Sequence, residues 1–385
     1  MNKRLIYFDN AATGYPKPEC VRKAAFYAFD ECGGNPGRSG HILSANASKA
    51  VFKCREAVCE LINYDRPENV VFTLNATHAL NLAIKGLAKK KSHIIISNFE
   101  HNSVYRPVYS LCNNKVNEME FSTFDASLLS DSDIVESFKK QIRDNTDMAV
   151  VTVASNICGR ILPVAEIARI CRSKKIKLIL DASQALGETE FDYSKIKADV
   201  VCSAGHKGLY GPSGTGFAVF SEGIIPRTII EGGNGLVSDL PDMGNELPEM
   251  LEAGTLNTFG ICGLCEGIKY IKDLDVSCIK QKNAELEKYI TDGLLNIGAI
   301  VYGDYANKTP IILFNIPGIS PGKVSSLLDE NGICTRSGVH CSVLAHNALE
   351  TGKEGAVRVS LGIWNTPEEC NSFLKTIKAI SRERI

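Results

Sequence analysis

The sequence predicts an α/β protein, with a large domain on a mostly parallel sheet covered on both faces and a smaller C-terminal α+β domain. Three observations carry this. Short apolar runs rich in valine and isoleucine alternate with amphipathic helical runs through the first two thirds of the chain, the pattern of parallel strands joined by helical crossovers. The 385 residues, 44% hydrophobic and 23% charged, suffice for one large domain and one smaller one. From about Leu256 the alternation gives way to a long helical stretch and a second set of strands and helices.

The expected strands of the large domain are Val70 to Thr73, His93 to Ser97, Met148 to Ala154, Ile176 to Asp181, Asp199 to Ser203 and Gly216 to Phe220. Helical runs separate them, among them Thr77 to Leu87 and Pro163 to Arg172. The second unit opens with a helix from Thr258 to Lys272 and includes Thr309 to Asn315, Ala356 to Gly362 and a last helix. That helix is signalled by Thr366 as N-cap, Pro367 in the first turn and Glu369 completing a capping box. The expected division is an N-terminal segment 1–14 packing with the small domain, a large domain over 15–256 and a small domain over 257–385.

A formal net charge of −1 offers no electrostatic footprint for nucleic acid or a membrane surface. No apolar stretch reaches the length of a membrane span, and the first residues lack the apolar run of a signal peptide, so the expected location is cytoplasmic. Fourteen cysteines at irregular spacing read as small buried hydrophobes in a reducing compartment, not as a disulfide framework. Cys262-Gly263-Leu264-Cys265 is a lone CxxC with no second pair, and no metal site is expected.

In a parallel α/β sheet, ligands sit beyond the carboxyl ends of the strands, so the polar residues there carry the functional argument. Lys207 lies in the glycine-rich loop Gly205-His206-Lys207-Gly208 after one strand. Lysine forms Schiff bases with carbonyl compounds once its pKa is lowered by desolvation, although alone it reads equally well as a solvated loop residue. Asp181 ends another strand, where a carboxylate needs a positive partner or serves as a helix cap. Asn75-Ala76-Thr77 opens a helix whose free N–H groups suit a phosphate, or else one of its polar residues is an ordinary N-cap. His101 follows a further strand and is placed to stack on a flat ring; Asn156 reads alternatively as a turn-former before Gly159. Pyridoxal phosphate requires a Schiff-base lysine, an acid beside its pyridine nitrogen and a phosphate seat, and these strand ends offer all three.

The chain resembles class V, fold type I pyridoxal-phosphate transferases, specifically the cysteine desulfurase and selenocysteine lyase family. The most specific stretches are Ser203-Ala204-Gly205-His206-Lys207 and Arg336-Ser337-Gly338-Val339-His340-Cys341. The resemblance implies Lys207 as Schiff-base lysine, Asp181 as pyridinium partner, Gln184 near the ring hydroxyl and His101 stacked on the ring. It implies Thr77 and His206 at the phosphate, with Ala76 standing where relatives often carry threonine, and Thr255 contributed by the second subunit of a homodimer. Arg358 would grip the substrate carboxylate through its planar fork. Asn156 and His41 match residues around substrate and cofactor, and Arg336 is expected to fix the Cys341 loop. Ala204 replaces a phosphate-binding serine, for which Ser203 is expected to compensate. Val339 replaces a histidine, leaving His340 as the expected local proton carrier before a flexible run from Ala345 to Gly355.

Cys341 is the residue that separates a desulfurase from a plain aminotransferase, because a thiolate near cationic side chains is a nucleophile. The implied reaction removes sulfur from L-cysteine to give L-alanine and a persulfide on Cys341, for transfer to an acceptor protein or thiol. L-selenocysteine is the alternative substrate, another class V lyase or transaminase the alternative enzyme, and an idle scaffold the alternative outside catalysis.

Overall fold

The computed structural model describes residues 5–37, 40–233 and 241–382; the outer ends of the first and last expected units, 1–4 and 383–385, lie outside it. The chain opens with β1 (Ile6–Tyr7), α1 (Glu19–Glu31) and α2 (Ile42–Ile62). The alternating region follows as β2 (Val70–Thr73), α3 (Ala76–Leu87), β3 (His93–Ser97), α4 (Asn102–Cys112), β4 (Glu120–Phe124), α5 (Asp131–Lys140), β5 (Thr146–Thr152), α6 (Val164–Lys174), β6 (Lys177–Asp181), α7 (Tyr193–Ile196), β7 (Val200–Ala204) and β8 (Gly216–Phe220).

These strands form one seven-stranded sheet in the order β2-β8-β7-β6-β5-β3-β4. In this sheet β8 alone runs against the direction of the other six strands. The central strands alternate between two cores, as a sheet buried on both faces requires. Ala149, Val151, Leu178, Leu180 and Val201 face one core; Met148, Val150, Ile179, Val200 and Cys202 face the other. The edge strand β4, half polar in its burial, is the one that hydrophobic runs do not reveal.

The chain continues with α8 (Thr258–Asp273), α9 (Val276–Asn296), β9 (Ile300–Tyr302), β10 (Ile311–Asn315), α10 (Pro321–Glu330), β11 (Ile333–Cys334), β12 (Arg336–Gly338), α11 (Val343–Ala348), β13 (Ala356–Ser360) and α12 (Pro367–Arg382). Strands β12-β13-β10-β9 make an antiparallel sheet. Its core, with Phe314, Val357, Val359 and Phe373, also takes in Phe8. Strand β1 pairs in parallel with β11, and Asp9 bridges to Ser360. Helix α12 starts on the expected capping box, with the Glu369 N–H donating to Thr366 Oγ1 at 3.4 Å and the Thr366 N–H donating to Glu369 Oε2 at 3.3 Å.

Two observations bear on the sequence expectations. Helix α8, which the expected division assigns to the small domain, packs on α1 and α2, and its Ile261, Leu264, Cys265 and Ile268 join the large-sheet core. The run from Ala345 to Gly355, expected as flexible, begins inside α11 and holds His346 and Thr351 buried.

Candidate active site

Five strand-end loops converge on a cavity of about 200 Å³. Asn75, Ala76 and Thr77 come from the turn after β2, His101 from the turn after β3, and Asn156 from beyond β5. Asp181 ends β6 and Ser183 and Gln184 follow it, while His206 and Lys207 follow β7. The small unit closes the cavity with Arg336, His340 and Arg358, and the N-terminal segment adds Ala11 and Ala12.

Lys207 is half-buried in the cavity wall, and desolvation draws its amine from 10.5 down to about 8. Asp181 opposes that shift, while the Arg358 and Arg336 charges add to it. The loop bearing the lysine is clamped from the N-terminal segment. The His206 carbonyl accepts from Gly14 N at 2.9 Å, Thr13 Oγ1 at 3.1 Å and Lys17 Nζ at 2.7 Å. Gly14 cannot carry a side chain there, because a Cβ would lie 2.6 Å from the Lys207 carbonyl oxygen. Burial also draws Lys17 down to about 8. Asp181 Oδ1 accepts from the Ser183 N–H at 3.0 Å, and Gln184 Nε2 donates to the Ala11 carbonyl at 2.9 Å.

His101 caps α4, with Nδ1 accepting from the Ser103 N–H at 3.1 Å, which fixes its ring. Burial, with the Lys207 charge adding, presses its pKa down to about 4, so the ring is neutral at pH 7. Asn75 caps α3 by accepting from the His78 N–H at 2.9 Å. Strand β8 passes directly beneath that helix start, where a Cβ on Gly216 would meet the Asn75 carbonyl carbon at 2.5 Å.

Arg358, 1% exposed, donates from Nη2 to Asp9 Oδ1 at 2.7 Å and from Nη1 to the Asn156 carbonyl at 2.8 Å. Three residues lining the cavity carry buried polar atoms without a partner: Arg358 Nε, His206 Nδ1 and Ser183 Oγ. An anion-bearing aromatic cofactor and an amino-acid carboxylate would satisfy such atoms, so the residues present fit pyridoxal phosphate with its substrate.

Cys341 is exposed and does not line this cavity; it stands in an adjoining groove outside it. Arg336 Nη2 lies 3.9 Å from Cys341 Sγ. The loop takes left-handed backbone at His340 (φ 48°) and Cys341 (φ 60°), a conformation non-glycine residues rarely adopt. Several bonds hold it there. Asn156 Nδ2 donates to the His340 carbonyl at 3.0 Å, Ser342 Oγ donates to Asn156 Oδ1 at 2.8 Å, and the Asn102 N–H donates to the Cys341 carbonyl at 2.8 Å.

His340, expected from the sequence as a local proton carrier, lines the cavity with both ring nitrogens engaged. Its Nε2 lies 3.2 Å from the Arg336 carbonyl, which can only accept, and its Nδ1 lies 3.1 Å from His346 Nε2. His346 Nδ1 in turn meets Thr351 Oγ1 at 2.6 Å. Both ring nitrogens of each histidine are thus engaged, and burial presses His340 down to about 2. The pair ties the Cys341 turn to α11.

Three sequence-singled residues lie elsewhere. Ser203 is buried on β7 with its hydroxyl 3.5 Å from the Ala204 carbonyl, and it does not line the cavity, so it does not replace the hydroxyl missing at Ala204. Its neighbour faces the cavity because side chains alternate along a strand. His41 caps α2, accepting from the Ser44 N–H at 3.3 Å, and Thr255 Oγ1 accepts from Asn35 Nδ2 at 3.3 Å; neither lines the cavity of its own chain. Sequence reasoning gives no weight to Asp9, Lys17 or His346. Asp9 follows a short apolar run, the signal that marks Asp181, and could have been read the same way.

With this geometry the comparisons with known proteins agree. The family model described as Aminotransferase class-V matches residues 6–373, and the chain belongs to that family. Within it, the chain is 33% identical over 388 residues to a probable cysteine desulfurase of Methanothermobacter thermautotrophicus, covering 98% of this chain and 94% of that protein. It is 32% identical over 397 residues to a probable cysteine desulfurase of Pyrococcus abyssi, covering 99% and 95%. Among solved structures, the apo cysteine desulfurase from Thermococcus onnurineus NA1 superposes with a TM-score of 0.90 at 30% identity, covering 98% of this chain and 95% of that one.

Proposed function

We propose that the chain is a pyridoxal-phosphate-dependent cysteine desulfurase that takes sulfur from L-cysteine, yields L-alanine and carries the sulfur as a persulfide on Cys341. The observation that carries this reading is an exposed thiol, beside an arginine, at the mouth of a cavity holding a half-buried lysine and a strand-end aspartate. A transaminase has no use for that thiol. Lys207, Asp181, Gln184, His101 and His206, with the N–H groups of Ala76 and Thr77, would hold the cofactor. Ser183, with its free hydroxyl, joins them. Bound pyridoxal phosphate supplies an aldehyde for the substrate amine and a ring that absorbs the electron pair of the breaking Cα–H bond.

The chain's own residues do the rest. Arg358 takes the substrate carboxylate on the side where its Nε is unpartnered, with Asp9 and the Asn156 carbonyl fixing the guanidinium plane. The Lys207 amine, neutral above about pH 8, removes the substrate Cα proton and returns it. Neutral His101 packs against the ring and excludes water. Cys341 thiolate attacks the substrate sulfur; the new S–S bond forms as the substrate C–S bond breaks, and Arg336 steadies the thiolate charge. An acceptor thiol then removes the outer sulfur, and in this reading the enzyme serves sulfur mobilisation, including iron–sulfur cluster assembly, in the cytoplasm.

A homodimer completes the site in this reading. Thr255 and His41, both outside the cavity of their own chain, would reach the phosphate and substrate of the second subunit. Helix α1 supports this with Phe26, Tyr27 and Phe29 at 72%, 63% and 58% exposure, an apolar face of the kind that marks an interface.

The test is a comparison of the enzyme with its Cys341→Ala variant. Wild type is expected to form equal amounts of sulfide and alanine from L-cysteine under reducing conditions. The variant is expected to keep the cofactor absorbance and its shift on adding cysteine, with sulfide formation at background. Full turnover in the variant, or pyruvate as product, overturns the assignment. Selenide release from L-selenocysteine that survives in the variant would mark the lyase reading.

A further inference from the structure

A second cavity, of about 330 Å³, adjoins the first and lies between α3 and α4. Thr77, His101 and Ser103 line both, so the two adjoin along these residues, whereas Cys341 lines only the outer one. The outer walls carry Lys85 from the last turn of α3 and Arg106 from α4, and Asn81 and Ser110 line the groove as well. No carboxylate lines the groove. Among the described residues neither Lys85 nor Arg106 has an ion-pair partner, in a molecule whose net charge is only −1. Arg336 adds a third positive charge at the inner end, beside the thiol. A groove lined by one sign of charge concentrates ligands of the other sign.

We propose that this groove admits a small thiol bearing carboxylate groups, which takes sulfur from Cys341 directly; the proposal rests on the desulfurase reading. The volume falls at the lower end of the range of small-molecule sites, roughly 300–1,000 Å³, and suits a molecule better than a folded domain. The transfer balances without any external oxidant or reductant. The acceptor thiolate attacks the outer sulfur of the Cys341 persulfide, forming a new S–S bond. The Cys341 Sγ–S bond breaks with its electron pair left on Sγ as thiolate, and the acceptor departs as a hydropersulfide.

The experiment compares wild type with Lys85→Glu/Arg106→Glu and with the milder Lys85→Gln/Arg106→Gln, all as full-length holoenzyme. Turnover of L-cysteine is measured with mercaptosuccinate, 2-mercaptoethanol and cysteamine as dianionic, neutral and cationic acceptors, corrected for thiolate fraction. Wild type is expected to favour mercaptosuccinate over cysteamine by about tenfold or more at low salt, with the preference eroded by added salt. The glutamine pair should abolish the preference, and the glutamate pair should invert it. Equal rates with the three thiols, or an order that survives both variants, overturns the proposal. So does loss of transfer to a protein acceptor alone while small thiols are unaffected. A second readout needs no desulfuration: alkylation of Cys341 by anionic iodoacetate against neutral iodoacetamide, followed on the Cys341 peptide by mass spectrometry. The charge-altered variants should slow iodoacetate several-fold and leave iodoacetamide unchanged. If the desulfurase reading alone is wrong, this selectivity stands while turnover fails; if the groove is wrong, the selectivity does not respond to the variants.

Discussion

Glu100 stands directly behind the site and shows how burial stores a pH dependence. Its Oε1 accepts from Ser97 Oγ at 2.5 Å and from the Thr152 N–H at 2.8 Å, while Oε2 has no partner. Burial, with a smaller push from Asp181, raises its pKa from 4.5 to about 8. In the unfolded chain the same carboxyl ionises near its ordinary value of 4.5. Between about 4.5 and 8 the folded state therefore holds a proton that the unfolded state has lost, and stability falls as pH rises through that window. Glu100→Gln, which keeps an acceptor oxygen for Ser97 and Thr152, is expected to flatten this fall in urea titrations at pH 5, 6.5 and 8, with the largest relative gain at pH 8. An unchanged slope would show that Glu100 is ionised in the folded protein. His340 makes the complementary point. A histidine beside a reactive cysteine invites a proton-transfer role, but the Arg336 carbonyl and His346 engage both its nitrogens.

At the scale of elements, the segment leading to Thr255 is fastened to the sheet by a buried ion pair. Arg55 of α2 meets Glu252 in two parallel bonds, Nη1 to Oε1 at 2.9 Å and Nη2 to Oε2 at 2.7 Å. The Phe72 N–H of β2 donates to the same Oε1 at 2.6 Å, the Val70 carbonyl accepts from Arg55 Nη1, and the guanidinium lies 4.8 Å over the Phe72 ring. Removing one partner leaves the other charge buried, which costs about 3–5 kcal/mol, whereas replacing both with apolar groups is far milder. Arg55→Met is therefore expected to lower unfolding stability by that order, and Arg55→Met/Glu252→Leu to recover most of it. Equal losses in the single and double variants would show that packing, not the unpaired carboxylate, sets the penalty. Because Thr255 lies three residues beyond Glu252, the single variant should also weaken cofactor retention.

For the whole molecule, the proposed assembly gives a direct measurement: the full chain should sediment at twice its 41.8 kDa mass. Phe26→Asp with Phe29→Asp is expected to shift it toward monomer and to loosen the cofactor, since the Thr255 of the partner subunit would withdraw. A dimer unchanged by these substitutions would place the interface elsewhere. Much of the large domain was legible in the sequence because its strands are buried on both faces and read as plain apolar runs. The strands at Val70, His93 and Gly216 begin where expected for that reason. Edge strand β4 and short β11 and β12 lack that pattern, and α8 reads as part of the C-terminal unit because nothing local says which core its apolar face will join. The cavity residues after strands were legible one by one. What was not legible are contacts made at long range, such as Asp9 on Arg358 and His346 on His340, which depend on the finished fold.

The contact between Asp9 and Arg358 spans nearly the full length of the polypeptide, and among the described residues β1 finds its only strand partner at Ile333 and Cys334. During synthesis, Lys207 and Asp181 therefore emerge long before the wall that would position an amino-acid carboxylate exists. A ribosome-bound chain ending before β11 could fold its large sheet, yet its first strand would have nothing to pair with. Competence for chemistry arrives late, when the tail closes over the beginning, and reactive intermediates are denied a half-built protein.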